Sequence, residues 1–297
     1  MSLEPASLKQ QGNARNLRRD AEAAAAGLPA LLVAAERLAA ALAQGGHGLR
    51  RGGAGEDFWQ YRPAAVGDTA ARIDWRRSAR TDAQFVRDRE AQNPQSVLLW
   101  VANGQGMDYA GDPGRPTKRA RAELLALAIA IAMLRGGERV ALAGAVPRAG
   151  RQQADRIAMG LVAPALTTDD DAPGSVDFRA GQRALLIADF LGDPQPVLEW
   201  LRRAAAAGVR GALLQVLDPD EEAFPFKGAV LFRSASGASR HDTRDAGGIR
   251  DAYLARLAER RALLSAAARD AGWHFGTHDT AHTPAQALLW IASVMEA

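Results

Sequence analysis

The chain contains no cysteine, which excludes disulfides, thiolate metal sites and a cysteine nucleophile. Lysine is also scarce: it occurs only at Lys9, Lys118 and Lys227, although Lys and Arg together number 37. The formal net charge is only +3 and charges of both signs are interleaved, so nucleic-acid binding has little support. The N-terminus lacks the apolar core of a secretory signal, and we therefore expect a cytoplasmic protein.

Long uninterrupted apolar runs are missing as well. The most apolar stretch, residues 21–43, is rich in alanine and carries Glu22, Glu36 and Arg37. Each such charge at the bilayer centre would cost about 2.5–3.5 kcal/mol, so we expect no membrane insertion. What is present instead is an ordinary globular composition, 47% hydrophobic and 24% charged over 297 residues.

Apolar periodicity divides the chain into three parts. We expect a flexible N-terminus at residues 1–20, a helix followed by an irregular segment at residues 21–94, and the main domain at residues 95–297. Within the main domain, the runs SVLLWVA and RALLIADF are typical of strands covered on both faces. Strands that alternate with helices predict an α/β fold with a doubly wound, mostly parallel sheet, beside a smaller irregular N-terminal α+β segment.

A run of unusual residues precedes the predicted sheet. In order it contains Gly55-Glu56-Asp57-Phe58, Tyr61-Arg62, Gly67-Asp68, Arg72-Ile73-Asp74-Trp75-Arg76 and Ala79-Arg80. Together with Ala271-Gly272-Trp273 and His278-Asp279-Thr280 near the end, this order resembles the bacterial "domain of unknown function 58" family. The resemblance covers roughly residues 28–297 and implies a von Willebrand factor A-like domain. It also implies an adaptor or chaperone-associated role, because family members often neighbour MoxR-type AAA+ ATPases, but no particular biochemical activity.

The N-terminal motif has two interpretations. In the structural one, its arginines pair with its aspartates and pin the segment to the sheet domain, while aromatic residues such as Trp75 supply buried area. In the functional one, the same aromatic residues and arginines form a partner surface, since Trp, Tyr and Arg are frequent at binding hot spots. The motif residues concerned are Arg62, Gly67, Asp68, Arg72, Asp74, Trp75, Arg76 and Arg80.

The resemblance also implies where a metal ion would bind. A metal-ion-dependent adhesion site requires Asp-x-Ser-x-Ser after the first strand of the domain, with a Thr and another Asp from later loops. Here alanine and glycine stand at all three ligand positions after SVLLWV, while Asp189 fits the later Asp and Thr117 loosely fits the Thr. We expect a degenerate site with no metal and no other cofactor, although weak Mg²⁺ binding through Asp189 stays open. The candidate residues of this crevice are Ala102, Gly104, Gly106, Asp108, Thr117 and Asp189.

Other chemical patterns are weaker. Gly104-Gln105-Gly106 is half of a dinucleotide fingerprint, but Tyr109 stands where the third glycine belongs. His274 and His278 would lie roughly 13 Å apart on a strand, too far to share one ion. Only His278, Asp279 and His282 could converge on a metal. The favoured interpretation is that His278-Asp279-Thr280 orders a turn, with Thr280 or Thr283 capping the last helix.

These features predict a non-enzymatic protein-interaction module, an adaptor for a MoxR-type AAA+ ATPase. Its crevice at the strand ends would contact protein without a bridging metal. The alternative is a weak metal- or nucleotide-dependent hydrolase that uses Asp189, Asp108 and His278 in the same crevice. An extracellular adhesin is disfavoured by the lack of a signal sequence and of disulfides.

Overall fold

The computed structural model describes residues 28–43, 60–64, 73–79, 83–88, 95–163, 172–233, 240–243 and 245–296. The predicted flexible N-terminus, residues 1–20, lies outside these ranges. The chain divides into two compact units, a small one at Arg50–Pro94 and a large one comprising Met1–Leu49 and Gln95–Ala297.

The secondary structure alternates as the sequence predicts. In chain order the described elements are α1 (28–43), β1 (Gln60–Pro63), α2 (Trp75–Ser78), β2 (Phe85–Asp88), β3 (Ser96–Val101), α3 (Lys118–Arg135), β4 (Arg139–Leu142), α4 (Gln152–Val162), β5 (Arg183–Ala188), α5 (Pro194–Ala206), β6 (Arg210–Leu217), α6 (Pro219–Ala223), β7 (Val230–Arg233), β8 (Arg240–Thr243), α7 (Arg250–Asp270), β9 (His274–Asp279) and α8 (Pro284–Glu296).

The large unit is built on a five-stranded sheet with the order β4-β3-β5-β6-β9, in which every pair of neighbours is parallel. Strands β5 and β6 are almost entirely buried because helices cover both faces. Helix α3 contacts α4 and α8, while α5 contacts α7. The predicted doubly wound α/β architecture is therefore confirmed.

Helix α3 forms the centre of one helix layer and its limits have clear causes. It begins at Lys118 because the Thr117 hydroxyl accepts a hydrogen bond from the backbone N–H of Ala120 at 3.1 Å. It ends at Arg135 with Gly136 as its C-cap, and Gly137 follows with a φ of +87° that suits glycine. Its apolar middle is fully buried in the main core.

Helix α1 also belongs to the large unit. Its buried residues Ala35, Ala39 and Leu42 are part of the same hydrophobic core as the sheet, and Glu36 pairs with Arg135 of α3. The sequence prediction assigns this helix to the segment at residues 21–94. Tertiary burial places it with the sheet instead.

The small unit, described by itself, contains an antiparallel pair, β1 and β2, and the short helix α2. The backbone N–H of Asp74 donates to the carbonyl of Phe85 at 2.8 Å, and the Ser78 hydroxyl accepts from the N–H of Phe85 at 2.9 Å. These bonds fix α2 against the start of β2. No helix in the described part of the chain is both long enough and apolar enough to cross a membrane.

Candidate functional site: an ion-pair cluster at the switch point

The strand order changes direction between β3 and β5. From β3 the chain continues to β4 on one side, whereas β5 and β6 lie on the other side. The carboxyl ends of such strands form a crevice, which is the usual ligand site of open α/β sheets. The N–H of Ala102, just after β3, donates to the carbonyl of Ile187 in β5, so the predicted ligand loop does lie at this point.

The side chain of Lys118, the first residue of α3, lies in this crevice. Its side chain is only 1% exposed, and its ammonium donates to Asp189 Oδ2 at 2.8 Å and to Glu221 Oε1 at 2.6 Å. The ring centroid of Tyr109 lies 6.0 Å from Nζ. Burial by itself would lower the pKa of Lys118, but the two carboxylates raise it above its ordinary value, so the ammonium stays charged.

Helix α6 supplies the second carboxylate. Asp218 is the N-cap of α6 and forms a capping box with Glu221: the Asp218 side chain accepts from the Asp220 N–H, and Glu221 Oε2 accepts from the Asp218 N–H at 3.0 Å. Glu221 therefore presents its other oxygen to Lys118 in a fixed direction. Burial raises the pKa of Glu221 even though Lys118 opposes the shift.

A second ion pair holds the loop that precedes α3. Arg115 donates to the buried Asp218 at 3.1 Å and lies 3.4 Å from Asp220. Burial opposes ionisation of Asp218, but the N–H groups of Asp220 and Gly111 together with Arg115 hold its pKa below the usual range. A Cβ on Gly111 would lie 1.9 Å from Asp220 Oδ2, so any other residue there would require the Asp220 side chain to move.

We call these six residues the switch-point cluster: Arg115, Lys118, Asp189, Asp218, Asp220 and Glu221. Its four carboxylates face two cations, which leaves a formal charge of −2. The residues do not fit a divalent ion of the kind that the adhesion-site resemblance implies. Ala102, Gly104 and Gly106 have no side-chain oxygen, and an ammonium already lies between the two carboxylates. Asn103 of the same loop has a buried side-chain oxygen, Oδ1, that has no hydrogen-bond partner among the described residues.

The other predicted crevice residues have separate roles. Thr117 is a helix cap, as described above, and its hydroxyl is used there. Asp108 accepts from Arg119 Nε at 2.5 Å, and Arg119 Nη2 also donates to the carbonyls of Asn103 and Gly104 at 2.6 and 3.1 Å. Arg119 thus holds the loop after β3 in place, and it binds the carboxylate of Asp108 that was a candidate ligand.

The side chains of His278, Asp279 and His282, near the C-terminus, do not converge on one metal position either. His278 is buried, and its Nε2 lies 2.7 Å from Arg121 Nη1. Because a guanidinium can only donate, Nε2 is the acceptor and the ring is neutral with its proton on Nδ1. Burial first, and Arg121 second, lower the pKa of His278 to about 4. His282 instead pairs with Asp279 through Nδ1 at 2.5 Å.

The turn after β9 is ordered largely as predicted. The Asp279 carboxylate accepts from the N–H groups of Ala281 and His282 at 2.9 and 3.0 Å. The Thr280 hydroxyl, however, donates to Asp218 Oδ2 at 3.2 Å instead of capping α8. Within the described ranges, no three His, Asp or Glu side chains are arranged to hold a metal ion.

A shallow pocket of about 420 Å³ opens on this side of the sheet, between β6, β9 and α8. Its polar lining includes Glu222, whose carboxylate already binds Arg261 at 2.5 Å. Its histidines are bound as described above. The pocket is lined by Leu214, Glu222, Thr277, His278, Asp279, His282, Gln286, Ala287 and Trp290.

The family motif is only partly described. Gly67, Asp68, Arg72 and Arg80 lie outside the described residues, while the backbone of Arg62 pairs with Val86 in the β1–β2 ladder. Asp74 precedes α2, and Trp75 and Arg76 are on its exposed side. Trp75 is 57% exposed, contrary to the expectation that it supplies buried area.

Sequence reasoning missed the residues that dominate the crevice. Lys118, Glu221, Asp218 and Arg115 were not among the candidates. Two signals could have found them: a rare lysine at the first position of a helix whose middle is apolar, and the pattern Asp218-Pro219-Asp220-Glu221, which is typical of a capped helix start.

Fold and site together define a doubly wound α/β domain whose switch point is filled by its own ion pairs. The profile of the family "Protein of unknown function DUF58" matches residues 60–263. The chain belongs to this family, as the N-terminal motif led us to expect.

Relatives and solved structures with detectable similarity include the following. The chain is 29% identical over 241 residues to "Uncharacterized protein Mb1516" of Mycobacterium bovis and to "Uncharacterized protein Rv1480" of Mycobacterium tuberculosis, covering 74% of this chain and 73% of each relative. A crystal structure of the conserved hypothetical protein BatB from Bacteroides thetaiotaomicron superposes with a TM-score of 0.40 at 15% identity, over 68% of this chain and 100% of that one. An aerotolerance-related membrane protein from Bacteroides fragilis gives 0.41 at 14% identity, over 68% and 98%.

Proposed function

We propose that this protein is a non-enzymatic interaction module of the cytoplasm, with a degenerate von Willebrand factor A-like site, that serves as an adaptor for a MoxR-type AAA+ ATPase. The observation that carries the proposal is the first turn of α3. In this turn, Lys118, Arg119 and Arg121 each bind one of the three side chains that the hydrolase alternative requires. These are Asp189, Asp108 and His278, respectively.

This arrangement favours binding over hydrolysis. The hydrolase alternative requires Asp189, Asp108 and His278 to act on one substrate. Asp189 is bound to Lys118, Asp108 to Arg119 and His278 to Arg121, so each is oriented by a different partner. Residues that act on one substrate must converge on it, whereas each of these three side chains is held by a different cation.

The loop after β3 is the surface that we assign to the partner. Gln105 and Asp108 are exposed there, while Arg119 keeps the backbone of the loop in one conformation. A loop held in place loses little conformational entropy on binding, which favours affinity. The same loop follows the strand that borders the switch point, where ligands of this architecture usually bind.

A pull-down with the tagged full-length chain tests the proposal. In a lysate of a bacterium that carries the gene, with nucleotide depleted and EDTA present, we expect a MoxR-type AAA+ ATPase to be retained and identified by mass spectrometry. Gln105→Arg places a charge on the loop and is expected to reduce retention about tenfold or more. Asp270→Arg is the matched control and should retain the ATPase normally. Asp270 is exposed at the end of α7, just before β9 begins, and so lies at the amino ends of the strands, away from the loop after β3.

Two outcomes contradict the proposal. One is the absence of any AAA+ ATPase from the retained proteins. The other is equal loss of retention in the Gln105 and Asp270 variants, which would show that the loop is not the contact. Turnover of a phosphoester or nucleotide by the purified chain, abolished by Asp189→Asn, would favour the hydrolase alternative instead.

A further inference from the structure

The pocket between β6, β9 and α8 is separate from the surface that we assign to the protein partner. None of its lining residues belongs to the loop after β3 or to the switch-point cluster. Its volume of about 420 Å³ suits a small molecule, and such pockets combine apolar walls with a few polar groups. Leu214, Ala287 and the indole ring of Trp290 are apolar walls here. The polar groups therefore decide which ligand fits.

The ring of His278 contributes an unused hydrogen-bond donor. The residue is only 7% exposed, and its Nε2 accepts from Arg121, so the ring proton is on Nδ1. Within the described ranges, Nδ1 has no hydrogen-bond partner. Because Nε2 is taken and His278 lines the pocket, the Nδ1–H is the ring donor that remains for a ligand. A buried donor without an acceptor costs free energy, which a ligand oxygen would recover.

Behind this ring lies a buried positive charge. Arg121 donates to neutral groups: Nε2 of His278 and the carbonyls of Thr280 and His282, at 2.7, 3.0 and 2.5 Å. No Asp or Glu of the described chain forms an ion pair with it. The guanidinium polarises the imidazole through Nε2, which makes the Nδ1–H a stronger donor. A buried cation without a bound carboxylate also favours an anion nearby.

The first turn of α8 borders the same pocket. This helix has 13 residues and begins at Pro284, and Gln286 and Ala287 of its first turn line the pocket. The first backbone N–H groups of a helix have no acceptor within the helix, and the helix dipole places partial positive charge at this end. The helix N-terminus and the Nδ1–H of His278 thus favour the same kind of ligand, one with negative charge.

The two carboxylates in the lining already have partners. Asp279 binds the ring of His282 at 2.5 Å and accepts from two backbone N–H groups. Glu222 binds Arg261, also at 2.5 Å. Both negative charges are thereby directed towards protein groups, and the groups left for a ligand are donors and apolar surface.

The indole ring of Trp290 gives the pocket a flat wall. It lies against Gly276 of β9, where a Cβ would be 2.6 Å from the ring carbons Cζ2 and Cη2. Any other residue at this position would displace the ring. An aromatic ligand can stack on the part of the indole that lines the pocket, since aromatic pairs gain from such contact beyond the area that they bury.

We propose that this pocket binds a small aromatic carboxylate. The carboxylate accepts from the Nδ1–H of His278 and faces the first turn of α8, while the aromatic body packs on Trp290. Binding here does not depend on the proposed contact with an ATPase, because the loop after β3 contributes none of the lining residues.

Binding of defined probes to the full-length wild type tests the proposal. The probes are indole-3-acetate and benzoate, with indole-3-acetamide and benzamide as neutral counterparts of the same shape. Titration calorimetry and saturation-transfer NMR at neutral pH and constant ionic strength measure the affinity. We expect the carboxylates to bind with a Kd on the order of 1 mM, and the amides about tenfold or more weakly.

Two further readouts identify the position and the source of the carboxylate. Indole-3-acetate should shift the ring NMR signals of His278 and leave those of His274, which is exposed at the start of β9, unchanged. N-acetyltryptophan carries its carboxylate as the C-terminus of a peptide does. Tighter binding of this probe than of indole-3-acetate would identify a peptide C-terminus as the ligand, and weaker binding a free acid.

Charge placed at the pocket provides the decisive variant. Gln286→Glu introduces a carboxylate in the first turn of α8, where glutamate suits a helix, so the fold should be retained. It should weaken carboxylate binding about tenfold or more and leave the amides unchanged. Gln195→Glu, the same exchange in the first turn of α5, is the matched control, because Gln195 does not line the pocket. Trp290→Leu removes the flat wall and should weaken acids and amides alike.

Three results would overturn the proposal. The first is that no carboxylate probe binds at concentrations up to ~10 mM. The second is equal affinity for each acid and its amide, and the third is the same effect of Gln286→Glu and Gln195→Glu on carboxylate binding. Since the probes act on the isolated chain, failure here leaves the pull-down of an ATPase unaffected, and the two proposals fail separately.

Discussion

At the scale of single residues, the buried neutral ring of His278 is expected to lower the free energy of unfolding as the pH falls. Its folded-state pKa is lowered to about 4 by burial and by Arg121, whereas the unfolded chain has an ordinary histidine. The unfolded state therefore binds a proton that the folded state rejects between about pH 6.5 and pH 4. We predict that this residue makes the free energy of unfolding fall by about 1–2 kcal/mol from pH 7 to pH 5.

Urea unfolding of the wild type and of His278→Gln at both pH values measures this contribution. The variant should lose the part of the pH dependence that belongs to His278. Glu123 titrates in the same range with the opposite sign, because burial raises its pKa to about 7 and its proton stabilises the fold at lower pH. The difference between the two proteins isolates His278, and equal slopes in both would refute the assignment.

Lys118 marks the limit of residue-level prediction from the sequence. Asp189 could be placed at the switch point because it ends an apolar run, and parallel strands put such ends along one edge. Its partner could not, since the choice of Lys118 depends on Glu221, which lies 103 positions further along the chain. Only the folded chain, in which α6 follows the end of β6, brings that carboxylate to the same ammonium.

At the scale of elements, Arg119 ties α3 to the loop after β3. Its guanidinium spans the carbonyls of Asn103 and Gly104 and the carboxylate of Asp108. We predict that Arg119→Met leaves the sheet folded but speeds amide hydrogen exchange of residues 103–108 by about tenfold or more, because the loop loses its hydrogen-bonded support. Exchange measured by mass spectrometry on the folded protein checks this.

The matched control for the loop is Arg202→Met, an exposed position on α5. It should change exchange nowhere in the loop. Faster exchange throughout the sheet in Arg119→Met would mean that the arginine stabilises the whole domain, and an unchanged loop would mean that the clamp has no effect in solution.

The same scale shows why most elements were predictable and α6 was not. Strands β3 and β5 follow from the apolar runs SVLLWVA and RALLIADF, and the bounds of these runs agree closely with the structure. Helix α6 has five residues, none of them buried, so it has no apolar period to detect. Its capping box was the remaining cue, and it is also what aims Glu221 at Lys118.

At the scale of the whole molecule, the large unit is assembled from separated parts of the sequence. Helix α1 contributes Ala35, Ala39 and Leu42 to the core of a sheet that begins only at Ser96. The intervening Arg50–Pro94 forms a compact unit of its own. The family motif and the switch-point cluster are thus on different units, so substitutions in one can be tested for function without touching the core of the other.

The contribution of α1 to the large unit gives a prediction for cooperative unfolding. Ala39 is 1% exposed within the shared core, so Ala39→Asp buries a carboxylate with no cation and should lower the free energy of unfolding by several kcal/mol. Val33, on the same helix, is 51% exposed, and Val33→Asp should change it by no more than about 0.5 kcal/mol. Near-UV circular dichroism, to which the buried contacting pair Trp200 and Trp273 contributes, follows the aromatic side chains of the folded core during urea unfolding. If α1 folds as one unit with the sheet, this signal shifts to lower urea in Ala39→Asp. A loss of helical signal with the tryptophan transition unmoved would instead make α1 a separate, dispensable element.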